Sequence, residues 1–347
     1  MSGDALRAAI RRLAFGETLS GAELTEAFGA VMRGEATPAQ VGALLMALRV
    51  KGETPSEVAG VARALREAMV VLPADDPGSL VDTCGTGGGT VPTFNISTAA
   101  ALVAAGAGVR IAKHGNRSFT SRCGSADVLE ALGVGIDVPV TQMRRALEEA
   151  GIVFMFAPVM HPAMKHVGPV RRELAIPTVM NIVGPLANPA GAGRQVLGVA
   201  EPHRLVLLAG ALAELGTVHA MVVHGEPGLD EISPLGPTRV IEIRGSSVEE
   251  WTIDPAAFGL PVATADELAG SEPAMNARIV LDVLGNRGPD GARTAVQLNA
   301  AGAIYVAGRA RTFAEAVGIA GQAIESGAGI RALERLRAVQ AKKPPEA

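Results

Sequence analysis

Residues 81–127 read VDTCGTGGGTVPTFNISTAAALVAAGAGVRIAKHGNRSFTSRCGSAD, and the order of apolar, glycine-rich and polar segments within them sets the fold. An apolar segment ending at Cys84 runs into Gly85-Thr86-Gly87-Gly88-Gly89. An Asn95-Ile96-Ser97-Thr98 corner follows, then an Ala-rich run to Gly106. A second apolar segment ends at Lys113 and opens into His114-Gly115-Asn116-Arg117-Ser118, before a small-residue corner at Gly124-Ser125. This pattern is strand, glycine loop, helix, strand, basic loop, helix. Four glycines in five residues let a backbone take positive φ and lie close to a ligand. Amides pointing out of such a loop, and out of the helix start near Ser97, make an anion site. Lys113 and Arg117 add positive charge at the end of the second strand, and strand C-termini are where open α/β sheets bind ligands. Two loops of this kind point to a ligand with two or more phosphate groups.

A glycine run by itself is more often a turn than a phosphate loop. This one has neither the G-x-x-x-x-G-K-[ST] spacing nor G-x-G-x-x-G in a dinucleotide context. The second loop carries the reading: Lys113–Ser121 holds a lysine, a histidine, an asparagine, an arginine and three hydroxyls within nine residues.

Working outward, residues 1–72 read as helices only. Ser20–Glu23 is a capping box before an apolar-periodic run. Thr37–Gln40 and Thr54–Glu57 repeat it, each with proline at the first helical position. Three such starts make a helical bundle, with Leu44, Leu45 and Leu48, and Val58, Val61 and Leu65, as core faces. A bundle this small has apolar area left over, and pairing with a second copy would cover it. Ala74–Gly78 is a linker by composition. Thereafter strands expected at Leu80–Cys84, Val109–Lys113, Val153–Phe156, Gln195–Val199, Val218–His224, Val240–Ile243 and Val248–Ile253 alternate with helices over Thr98–Ala105, Ala126–Leu132, Val140–Ala150 and Arg204–Leu215. The fold class is α/β: a small N-terminal helical domain, then a larger domain with a largely parallel central sheet and flanking helices. From Thr264 the chain is helical again, and the tail Ala341–Ala347 is expected to fray.

Composition excludes several classes. The 347 residues are 48% hydrophobic and 19% charged, an ordinary globular balance. A net charge of −4 disfavours nucleic acid as a partner, so any anion site is local. Aromatics at 3% offer few stacking platforms. Two cysteines, Cys84 and Cys123, make neither a disulfide framework nor a zinc cluster. A nucleophilic role for either would need an activating base, and small buried packing is the simpler reading. The N-terminus lacks a signal-peptide core. The longest apolar stretch, Ala99–Ala112, is too short to span a bilayer, so a cytoplasmic protein without membrane contact is expected.

GTGG, TFNIST, KHGNRS and GSADVLEALG, in this order and spacing, resemble the anthranilate phosphoribosyltransferase family of tryptophan biosynthesis. The likeness continues through His161–Met164, Gly168–Leu174, Asn181–Pro189 and Gly228–Ser233, and so covers nearly the whole chain. It implies transfer of the phosphoribosyl group of phosphoribosyl pyrophosphate to the amine of anthranilate, with pyrophosphate leaving. It also implies Mg2+ as cofactor and a homodimer. Residues 1–76 with about 164–185 would form the small helical and dimerisation domain, and 79–163 with 186–340 the phosphoribosyl pyrophosphate-binding domain. The active site would lie in the cleft between them.

Carried over by resemblance, Gly85, Gly88 and Gly89 touch pyrophosphate through backbone amides. Thr93, Asn95, Ile96, Ser97 and Thr98 line the same substrate. Lys113, His114, Gly115, Asn116, Arg117, Ser118, Phe119, Thr120 and Ser121, with Ser125, wrap phosphate and ribose, and Lys113 is the electrostatic catalytic group. Gly85, Asn116 and Arg171 face anthranilate, with His114 in reach of it. Ser97, Asp230 and Glu231 bind Mg2+. Arg171 and Arg172 point about 100° apart on a helix, and family spacing favours Arg171 as the ligand. Departures from the family pattern are Gly89, where the glycine loop usually ends in Asp, Pro177 in place of Arg and Met180 in place of Phe. The last two bear on the acceptor pocket. Two other readings remain: a pyrimidine-nucleoside phosphorylase, which needs phosphate and no Mg2+, and a diverged non-enzymatic nucleic-acid-binding homologue. The Asp230-Glu231 pair counts against the first, and the net charge with Asn116 and Arg171 against the second.

Overall fold

The computed structural model describes residues 2–118 and 122–341. The expected ligands Phe119, Thr120 and Ser121, and the tail beyond Ala341, lie outside the described residues. The chain opens with helices Ser2–Ala14 (α1), Gly21–Met32 (α2), Pro38–Lys51 (α3) and Pro55–Glu67 (α4). All three expected capping boxes form: Ser20, Thr37 and Thr54 each accept the backbone N–H three residues on at 3.3 Å, and Glu23, Gln40 and Glu57 reach back to the cap N–H. Glu57 does more than cap. Fully buried, it accepts from Thr54 N–H at 2.9 Å, Lys51 Nζ at 2.8 Å and Leu19 N–H at 3.0 Å. One carboxylate thus joins the end of α3, the start of α4 and the turn before α2.

The α/β part follows as Val81–Gly85 (β1), Ile96–Gly106 (α5), Ile111–Gly115 (β2), Ser125–Ala131 (α6), Val140–Glu149 (α7), Ile152–Phe156 (β3), Ala157–Met160 (α8), Gly168–Leu174 (α9), Arg194–Gly198 (β4), Leu205–Glu214 (α10), His219–Gly225 (β5), Thr238–Arg244 (β6) and Ser247–Ile253 (β7). Helices Ala265–Leu268 (α11), Pro273–Leu284 (α12), Asp290–Val306 (α13), Phe313–Glu325 (α14) and Ala328–Val339 (α15) close the chain. The strands lie in the order β3-β2-β1-β4-β5-β6-β7. The first five are parallel, and β6 and β7 extend the sheet antiparallel. Every expected strand is present, with ends shifted by up to two residues. Val109 falls in the turn leaving α5, where its N–H is held by the Ala104 carbonyl, so β2 begins at Ile111.

This strand order places the site. From β1 the chain moves to β2 and β3 on one side, then returns to β4 on the other, so β1 and β4 are neighbours whose connections diverge. A crevice opens above such a pair at the strand C-termini. Here the two strands end in the opposed pair Gly85 and Gly198.

Side chains alternate across the sheet with period two. Val196, Met221, Val223 and Val240 join one buried cluster with α5 and α12–α15. Leu197, Ala220, Val222, Ile241 and Ile243 join a second, with α10, α1–α4 and the segment from Val167 to Ala187. The helical domain therefore sits on one face of the sheet through α10. Arg63 fastens it there, donating to the Glu214 carbonyl at 3.1 Å and pairing with its carboxylate at 3.2 Å. Met180 belongs to this second core, whereas Pro177 is exposed.

Replacing Glu57 with Ala leaves the Leu19 and Thr54 backbone donors without a partner and takes the carboxylate from Lys51. The expected loss is about 3 kcal/mol, read as a fall in the urea midpoint at unchanged slope, and a loss below about 1 kcal/mol would refute this role.

Candidate active site

Sequence-distant loops meet above Gly85 and Gly198. The glycine loop leaves β1 with Gly87 and Gly88 at positive φ, 71° and 83°, conformations that favour glycine. The loop before Ser233 lies across it. Thr90 N–H bonds to the Gly228 carbonyl at 3.0 Å and Thr90 Oγ1 to the Pro227 carbonyl at 2.9 Å. Asp230 Oδ2 accepts the Gly87 N–H at 2.8 Å. A Cβ at Gly85 would strike the Asp230 carboxylate, and one at Gly198 would strike the Asp230 backbone. The two glycines at the strand ends are thus the seat of Asp230.

Helix α5 begins beside this contact. Asn95 makes no side-chain cap. Instead the first-turn N–H of Ser97 bonds to Glu231 Oε1 at 3.2 Å. Lys113, 3% exposed, lies beneath. Its ammonium donates to the Thr83 carbonyl, to Thr83 Oγ1 at 3.3 Å and to Ser97 Oγ at 3.4 Å. Burial pulls its pKa below the ordinary lysine value, against the opposing pull of Asp82, Cys84 and Glu231. Burial, then the neighbouring Asp230, pushes Glu231 up to about 8. Burial raises Asp230 as well.

A second layer holds the basic loop. Asp82 is fully buried; its carboxylate accepts the His114 N–H at 3.2 Å and Asn188 Nδ2 at 2.8 Å. The same amide nitrogen of Asn188 reaches the Ala112 carbonyl at 2.8 Å. Burial lifts Asp82 to about 6 although Lys113 and Asn188 pull the other way. His114 faces His161 with ring centroids 4.9 Å apart. Both rings are buried, with only loose backbone contacts, His161 toward Ala187 and His114 toward Gly184. Burial drives the two histidines down to about 3 and about 4, so both rings are neutral near pH 7.

The expected site residues divide. Gly85, Gly89, Ser97, Lys113, Asp230 and Glu231 converge on the crevice. Ile96 and Thr98 point into the core, so only their backbone faces the site. Asn95 is engaged with Cys123 at 3.1 Å and Asn276 at 3.0 Å, tying loops together. Arg117 turns outward to Asp127 and Glu130, both at 2.6 Å, so its charge is already paired. Asp127 also accepts the Gly124 N–H at 2.9 Å, capping α6. Ser125 Oγ donates to the Asn116 carbonyl at 3.2 Å and so shapes the loop. On α9, Arg172 is exposed while Arg171 is partly buried, with its pKa lowered by burial alone. Asp82, Thr83, His161 and Asn188 were not expected as site residues. The only signal for Asp82 was a carboxylate inside an apolar strand.

Neither Cys84 nor Cys123 forms a disulfide among the described residues. Burial first, then nearby carboxylates, raises the Cys84 thiol well above its usual value and Cys123 to about 11, the wrong direction for nucleophiles. Among the described residues no three His, Cys, Asp or Glu side chains cluster as a metal cage. No described helix is long and apolar enough to cross a membrane.

The model of the "Glycosyl transferase family, a/b domain" matches residues 77–330, and that of the "Glycosyl transferase family, helical bundle domain" matches residues 7–69. An anthranilate phosphoribosyltransferase of Rubrobacter xylanophilus is 52% identical over 330 residues, 95% of this chain and 96% of the relative. That of Symbiobacterium thermophilum is 49% identical over 333 residues, covering 96% and 97%. The crystal structure of anthranilate phosphoribosyltransferase from Thermus thermophilus superposes with a TM-score of 0.90 at 43% identity, covering 96% of this chain and 99% of that one. The Saccharomyces cerevisiae enzyme in complex with PRPP and Mg gives 0.87 at 28% identity, covering 97% and 98%.

The neutral buried histidines set a pH dependence. Below the free histidine value of 6.5 the unfolded chain takes up a proton at position 161 that the folded chain refuses down to about 4. Stability is therefore lost as pH falls through this window, by up to about 1.4 kcal/mol per unit for that ring. Asp82 and Glu231 act with the opposite sign, since the folded state keeps their protons longer. The difference between wild type and His161→Asn isolates the histidine. Urea unfolding between about pH 7 and about pH 5 should show the smaller acid loss in the variant, and equal losses would contradict a neutral buried ring.

Proposed function

The chain belongs to the anthranilate phosphoribosyltransferase family, and we propose that it transfers through the crevice above β1 and β4, with its glycine loop, Ser97 and Lys113 facing the pyrophosphate and Arg171 the acceptor. The reaction joins C1 of the ribosyl 5-phosphate to the amine of anthranilate. The bond from C1 to pyrophosphate breaks and the amine loses a proton. An arylamine is already neutral at pH 7, so the protein's main tasks are to receive charge growing on the leaving group and to place the amine. The observation that carries the proposal is the buried Lys113 ammonium beside the Ser97 hydroxyl and the start of α5. Ammonium, helix start and loop amides all favour negative charge in one place.

Ser97, Asp230 and Glu231 supply hard oxygen donors, the set that suits Mg2+ held jointly with substrate phosphates. When bound, Mg2+ offsets phosphate charge. The chain's own contribution is to place the two carboxylates beside the loop amides, where without a cation they accept from Gly87 and Ser97. For the acceptor, Arg171 is a partly buried cation whose pKa falls by burial with no compensating acid. A carboxylate on the substrate supplies that partner bidentately. Asn116 and His114 border the same loop, and the neutral His114 ring offers an uncharged face to an aromatic acid.

We divide the chain into residues 1–76 with about 164–185 and residues 79–163 with 186–340; the second core bridges the two, since α10 and one face of β4–β6 pack with the helices. Exposed Phe15 and Val50 on the helical domain support a homodimer formed through it. A cytoplasmic location fits a biosynthetic enzyme of this kind.

Anthranilate fluorescence should decay with phosphoribosyl pyrophosphate only when Mg2+ is present, and no decay with folded protein would sink the proposal. Arg171→Ala should raise the anthranilate KM about 10- to 100-fold with kcat nearly unchanged. Lys113→Met should instead lower kcat about 100-fold or more, tested at saturating levels of both substrates. A kcat loss in the arginine variant with KM unmoved would remove Arg171 from the acceptor site.

A further inference from the structure

We propose that Asp230 and Glu231 stand in for phosphate oxygens on the protein's own anion donors, so that the glycine loop admits a pyrophosphate group only once a divalent cation has drawn the carboxylates away. The inference rests on reading that loop as the pyrophosphate site. Two backbone donors define the anion site from the chain's side, the Gly87 amide and the first-turn amide of Ser97. Each is occupied by a carboxylate oxygen, Asp230 Oδ2 at 2.8 Å and Glu231 Oε1 at 3.2 Å.

The occupation is built in rather than incidental. Gly85 and Gly198 lack the Cβ atoms that would push Asp230 off its seat. Thr90 fastens the Gly228 side of the loop to the glycine loop by two hydrogen bonds. Gly228 itself has φ 114° and no room for a Cβ against Thr90. The carboxylates are therefore delivered to the amides by a latched loop, not by two mobile surface side chains. A small cavity bounded by Thr83, Cys84, Ser97, Gly198 and Glu231 adjoins the Glu231 side chain.

A phosphate oxygen and a carboxylate oxygen compete for the same N–H, and both are charged acceptors of similar strength. Without a cation the incoming anion meets donors that are already occupied. A cation held by the two carboxylates turns both obstacles into ligands. Metal dependence of substrate binding is then a property of the apo loop as well as of the bound complex.

Calorimetric titration of the full chain with inorganic pyrophosphate, in EDTA and in excess Mg2+, tests this. Wild type should bind about tenfold or more weakly without Mg2+. Asp230→Ala frees the amide and removes the charge, so its metal-free affinity should rise about tenfold and its response to Mg2+ should shrink. Asp230→Asn removes the charge but keeps an oxygen that accepts from Gly87, so its gain should be smaller. Equal gains for Ala and Asn would mean that charge alone acts, and no gain for Ala would mean that Asp230 blocks nothing; either overturns the proposal. Hydrogen exchange of the 85–90 segment in wild type is a second reading that needs no variant: Mg2+ alone should speed it, and unchanged exchange counts against the proposal. Failure of wild type to bind pyrophosphate even with Mg2+ would instead overturn the reading of the loop itself.

Discussion

An ammonium withdrawn from water has to be surrounded by acceptors and counter-charge, and Lys113 at 3% exposure imposes that demand at the end of the sheet. Thr83 answers with its carbonyl and hydroxyl, and Ser97 with a second hydroxyl. Asp82 is the nearest counter-charge, pulling the lysine's pKa up against burial. Each answer recruits another part of the chain. Asp82 is itself buried and needs donors, which the His114 amide and Asn188 provide. Asn188 in turn closes its own turn by accepting the Ala190 N–H at 2.9 Å, just before β4. The path from one lysine thus runs through β1, β2, the start of α5 and the approach to β4. Strand order, loop placement and site geometry are one solution to a single desolvation problem.

Local chemistry was the legible part. Three Ser/Thr–Glu/Gln pairs at capping-box spacing became three capped helices, because a cap depends only on residues within one turn. The inner strands were readable because burial on both faces leaves apolar runs, whereas the edge strand β7, SVEEWTI, lies mostly exposed. The alternation of strand and helix fixes a parallel sheet through the handedness and length of its connections. The glycine loop and the Lys113 loop fell at strand C-termini for the same reason, and so the site's address could be read before its contacts.

Contacts across long sequence separations were not legible. Nothing near Gly87 announces that its amide belongs to Asp230, 143 residues on, or that the Ser97 amide belongs to Glu231. Arg117 shows a different limit. Its place in a basic loop suggested phosphate, yet Asp127 and Glu130 follow at helical spacing and both claim it. An arginine with two nearby acids on the next helix clips that helix to the loop. His161 escaped for a different reason. A histidine before a proline carries no sign of burial, and its meaning lies in the ring 4.9 Å away.

Gly89 shows what the geometry asks of a departure from family pattern. A Cβ there would lie 3.0 Å from the Gly228 carbonyl and 3.3 Å from Asp230 Oδ1. The first contact asks the latched loop to give way, and the second brings a new side chain against an acid already in place. An aspartate at 89 would therefore set a further carboxylate beside Asp230, above the glycines that make room for that acid. Like charges held this close raise one another's pKa and repel an arriving anion. With glycine at 89, Asp230 is the single carboxylate on the loop's amides. The loop's response to a cation is then set by the 230–231 pair alone.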